Sequence, residues 1–73
     1  MMTLYDTRAG KVFFIEHKVE LYHLPLPTHS AKCVCQVMYD RTPIRTFENE
    51  QDAIKLMVKI NEAFMGCSFR MTI

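Results

Sequence analysis

The chain has 73 residues, nine of them basic and eight acidic, for a formal net charge of +1; with both signs interspersed, this composition argues against a protein that holds polyanions by long-range attraction. About half of the residues (49%) are hydrophobic and only two are glycine, which argues for a packed fold rather than disorder. A domain of this size hides only about 60% of the surface its unfolded chain exposes and has few residues to spare for a deep pocket.

The first element expected is a short strand over residues 3–6. The segment Asp6-Thr-Arg-Ala-Gly10 then has the chemistry of a hairpin loop, with Gly10 free to take a positive φ. A long strand over residues 12–24 follows. Its better core face is Phe13, Ile15, His17, Val19, Leu21 and His23, and its outer face is Val12, Phe14, Glu16, Lys18, Glu20, Tyr22 and Leu24. Pro25 and Pro27 lack the ladder donor, so residues 25–30 are read as a loop.

Residues 31–39 resume the alternation, with Cys33, Cys35, Val37 and Tyr39 on one face and Lys32, Val34, Gln36 and Met38 on the other. Asp40-Arg-Thr-Pro43 reads as a turn and residues 44–47 as a fourth strand. Asn49 is placed as a helix N-cap, with Asp52 adding favourable charge in the first turn. From Glu50 onward Ala53, Leu56, Met57, Ile60, Ala63 and Phe64 form one apolar face. Gly66 is the expected left-handed stop, and Cys67, Phe69, Met71 and Ile73 form the buried face of a last strand.

These elements predict a single α+β domain over residues 1–73. Its mostly antiparallel five-stranded sheet carries one helix packed on one face and leaves the other face open. The last strand is expected antiparallel beside the first, with a parallel place beside the fourth as the alternative.

Three cysteines are an odd number, and no basic region followed by a long apolar stretch opens the chain. A secreted disulfide framework is therefore not supported, and the reading is reduced thiols in the cytoplasm. The longest apolar run, residues 12–15, is far short of the roughly 20 residues that cross a bilayer.

No catalytic signature or phosphate loop is present, and no cofactor is expected. His23, His29, Cys33 and Cys35 are the residue types that bind zinc, but their spacing is irregular, and the favoured reading makes the cysteines small apolar fillers. A cysteine nucleophile paired with His17 or His23 would lack any neighbour that depresses its pKa, so the chain is read as non-catalytic. His17 on an apolar face suits a core margin with one nitrogen hydrogen-bonded better than a pH switch.

The surface is the remaining instrument. Phe14, Lys18, Tyr22 and Met38 on the open sheet face, with Ile54, Val58 and Met65 on a helix flank that also carries Asn61, are the candidate partner-binding residues. The expected function is stoichiometric binding of another protein, as an inhibitor, adaptor or regulatory subunit, with self-association into a dimer. The alternative is stacking of single-stranded nucleic acid on the same sheet face, with Lys32 and Arg70 joining it; Glu16 and Glu20 oppose this.

Overall fold

The computed structural model describes residues 1–24 and 34–73. Its element order is β1 (Met2–Asp6), β2 (Lys11–Ile15), β3 (Glu20–His23), β4 (Cys35–Tyr39), β5 (Thr42–Phe47), α1 (Glu50–Met65) and β6 (Arg70–Thr72). The α+β class is as expected, but the single five-stranded sheet is not. Two three-stranded sheets form instead, in the orders β2-β1-β6 and β3-β4-β5.

The division arises inside the expected long strand over residues 12–24. After Ile15 the backbone leaves β1, and it resumes pairing at Glu20 against β4. Side chains satisfy the backbone groups released in between. The Glu16 N–H donates to the Tyr39 hydroxyl at 2.7 Å. Asn61 of α1 accepts from the Val19 N–H at 2.8 Å and donates to the Val19 carbonyl at 3.2 Å, doing for one residue what a neighbouring strand does for many.

This break also corrects the direction of the last strand. β6 does lie beside β1, but parallel to it, with Leu4 opposite Met71. Counting directions through one straight strand assigns the wrong parity once the chain passes between sheets at residues 16–19.

The β1–β2 and β4–β5 turns show turn chemistry at specific φ values. Gly10 takes φ 64° before Lys11. Asp40 and Arg41, both left-handed, make a two-residue connection between Tyr39 and Thr42, so the turn is tighter than the expected four residues and β5 begins earlier. Pro43 is accommodated because β5 is an edge strand and the register shifts there. The same irregularity lets consecutive residues Ile44 and Arg45 both be withdrawn from solvent.

Asn49 caps α1 as expected, its side chain accepting from the Gln51 N–H at 2.8 Å. The C-terminal stop is displaced by one residue. Gly66 has φ −79°, and Cys67 takes the left-handed position at φ 61°. The Cys67 N–H donates to the Phe64 carbonyl and the Ser68 N–H to the Ala63 carbonyl, the bonding of a Schellman cap. A Cβ on Gly66 would stand 3.2 Å from the Glu62 carbonyl oxygen, so close approach favours glycine there.

α1 packs on β3, β4 and β5. The core joins Met2, Leu4 and Ile15 of one sheet to Cys35, Val37, Tyr39 and Ile44 of the other, with Val19, Ala53 and Ile60 between. Of the expected core face over residues 13–23, Ile15 and Val19 are buried and Phe13 and Leu21 half-buried, whereas His17 and His23 are exposed. In the last strand Met71 and Ile73 pack against the core, but Cys67 is exposed and Phe69 is 88% exposed, because the regular ladder begins only at Arg70. The expected loop over residues 25–30 and the start of the strand over 31–39 lie outside the described residues.

Candidate association surface

The outer face of the β2-β1-β6 sheet is built by cross-strand register. Thr3 stands between Phe14 and Arg70, and Tyr5 between Val12 and Thr72. Alternation sends Met2, Leu4 and Asp6 inward, so Thr3 and Tyr5 face out, and Val12 and Phe14 face out beside them. Tyr5, Val12 and Phe14 are all exposed, Phe14 to 60%. They form an apolar patch with Arg70 at its far edge.

A second apolar feature lies where α1 gives way to β6. Met1, Phe64, Cys67, Ser68 and Phe69 line a shallow cleft of about 260 Å³. Met65 on the neighbouring helix turn is also exposed. Strand alternation conceals this cleft, since it assigns Cys67 and Phe69 to the core.

The residues predicted to bind a partner do not share one sheet. Phe14 is on β2, Tyr22 on β3 and Met38 on β4, while Lys18 is exposed in the segment between the sheets. Tyr22 is opposite Gln36, and Gln36 bonds Thr46, which makes that outer face more polar than the first. Of the helix flank, Ile54 is half-buried and Val58 and Met65 are exposed. Asn61 does not belong to that free stripe, because both ends of its amide are engaged by Val19. Arg70 joins the outer face beside Thr3; Lys32 lies outside the described residues.

Charged groups are arranged as supports. Asp6, 2% exposed, accepts from the Arg8 and Ala9 N–H groups within its own hairpin and from Arg45 Nη2 at 3.0 Å. His17 stacks on Tyr39 with ring centroids 4.5 Å apart. Its Nδ1 lies 3.1 Å from the Lys18 carbonyl and its Nε2 2.9 Å from the Asp40 carboxylate. Both partners are acceptors, so only the imidazolium satisfies both, and its pKa is raised, first by the Lys18 carbonyl and then by Asp40. The histidine is thus exposed with two partners, a correction to the one-bonded core margin.

His23 pairs with Glu50 at 3.2 Å. Among the described residues no three His, Cys, Asp or Glu side chains gather as metal ligands. His29 and Cys33 of the zinc reading lie outside the described residues. No helix is long and apolar enough to cross a membrane, among those residues.

Comparison with protein-family models, with curated proteins and with solved structures found no match.

Proposed function

We propose that this chain is a non-catalytic binding protein that works by stoichiometric association with protein surfaces, a second copy of itself included. The observation that carries the reading is the apolar patch of Tyr5, Val12 and Phe14 on the outer face of the β2-β1-β6 sheet. Aromatic residues on a sheet face, with Arg70 and Lys11 at the margins, have the composition of an interface core and rim. Among the described residues, three polar side chains that could otherwise serve chemistry are engaged as supports: Asp6 with Arg45, His17 with Asp40, and Asn61 with Val19.

The test is solution mass against concentration, for the unaltered chain and for Phe14→Lys. The reading predicts that the mass reaches that of a dimer by about 100 µM, two decades above a micromolar Kd. It predicts that Phe14→Lys returns the mass to that of one chain with an unchanged circular dichroism spectrum. A monomer throughout this range contradicts self-association.

A further inference from the structure

The geometry points to the open edge of β2 as the contact between two copies of this chain, pairing Val12 and Phe14 of each copy with Phe14 and Val12 of the other. This inference rests on the association reading above and specifies its geometry.

Among the described residues the two sheets give four strand edges, and three of them carry guards. β5 has Pro43 and a register shift. β3 begins with Glu20 and ends with His23, which is held by Glu50. β6 is three residues long and begins with Arg70. Such features discourage strand addition. β2, with the sequence Lys-Val-Phe-Phe-Ile, has no proline, no register shift and no charge except at its first residue.

The ladder fixes which backbone groups this edge presents. The Thr3 N–H donates to the Phe69 carbonyl, and the Tyr5 carbonyl accepts from Ile73, so these residues of β1 bond toward β6. Met2, Leu4 and Asp6 therefore bond toward β2, where they face Ile15, Phe13 and Lys11. Val12 and Phe14 are left with N–H and C=O groups directed away from β1. The Glu16 N–H is already held by Tyr39, which ends the available stretch.

Val12 and Phe14 are symmetric about Phe13, so antiparallel pairing about a two-fold axis at Phe13 puts Val12 of one copy opposite Phe14 of the other, twice. About four backbone hydrogen bonds form, and the two Phe13 residues meet as a close non-hydrogen-bonded pair. The same pairing brings each exposed Phe14 against a β-branched neighbour on the outer face, a favourable cross-strand combination. Charges do not oppose it. Lys11 stands opposite the partner's Ile15 on the inner face, and Gly10, without a side chain, stands opposite the partner's Glu16 on the outer face. No like charges meet. The product is one continuous six-stranded sheet, with the apolar patches of both copies side by side.

The test replaces Val12 by proline. This removes an edge donor without removing a bond to β1, since proline is tolerated where the missing N–H faces away from the neighbouring strand. Thr72→Pro, at the opposite edge of the same sheet, is the control. The expected result is that the unaltered chain and Thr72→Pro sediment as dimers and Val12→Pro as a monomer. Amide exchange at Val12 and Phe14 in the unaltered chain should slow as concentration rises. A Val12→Pro dimer, or exchange at these two amides independent of concentration in a dimeric sample, overturns the edge contact and leaves the association reading standing. A monomeric unaltered chain overturns the edge contact together with the self-association it rests on. If Val12→Pro fails to fold, the amide measurement decides alone.

Discussion

Asp6 at the end of β1 and Arg45 in β5 meet at 3.0 Å across the two sheets. With the carboxylate buried and the guanidinium side chain only 17% exposed, this pair is a polar bolt between sheets whose shared core is apolar. Removing Arg45 leaves the buried carboxylate without a counter-charge, held only by the Arg8 and Ala9 N–H groups. Arg45→Met should therefore destabilise the fold by about 3–5 kcal/mol, read by urea denaturation at neutral pH. A loss within the range of an exposed pair, under about 1 kcal/mol, would show that the contact is dispensable.

Asn61 supports the break between β2 and β3 through both backbone groups of Val19. Asn61→Leu leaves these groups without their partner beside a buried side chain, a cost of about 1–3 kcal/mol. Asn61→Asp keeps the acceptor for the N–H but sets a second oxygen against the carbonyl, so it should not restore stability. Equal stability of Asn61→Asp and the unaltered chain would show that the Val19 carbonyl does not need the amide.

Cys67 occupies a left-handed position that ordinary side chains avoid. Cys67→Gly should raise stability by about 1 kcal/mol, the strain an L-residue carries there. A lower melting temperature would show that the thiol contributes packing at the helix end that outweighs this strain.

His17 provides a pH dependence of defined sign. Its pKa is raised in the fold above the 6.5 of a free imidazole, so its contribution to stability is complete below 6.5 and is lost as pH rises through the folded value. A proton NMR titration should place the His17 midpoint above 6.5, and Asp40→Asn should lower it. A midpoint at or below 6.5 would contradict the paired imidazolium.

Much of the architecture is legible in the residues, and its misreadings have physical causes. Asn49 announces the helix, and the spacing from Ala53 to Phe64 identifies its inner face, because capping and amphipathic periodicity are local properties. The sheet division is hidden because alternation stays in phase through the break. Ile15 and Val19 are both buried, yet they belong to different surroundings, and side chains far along the chain, Tyr39 at Glu16 and Asn61 at Val19, complete the segment. Phe69 misleads for the related reason that periodicity does not report where a ladder starts. The outward positions of Phe14 and Tyr22 could be read from alternation. Their separation onto two sheets depends on long-range pairing and could not.

Edge pairing at β2 uses no helix residue. Replacing Val58 and Met65 together by glutamate should therefore leave the assembly mass unchanged; a lower mass would relocate the contact to the helix flank.

The most direct measurement of the central claim is sedimentation equilibrium of the unaltered chain across concentration. The account predicts a mass rising from the 8.6 kDa of one chain to twice that value. A mass that stays at one chain up to about 100 µM, well above a micromolar Kd, would contradict it.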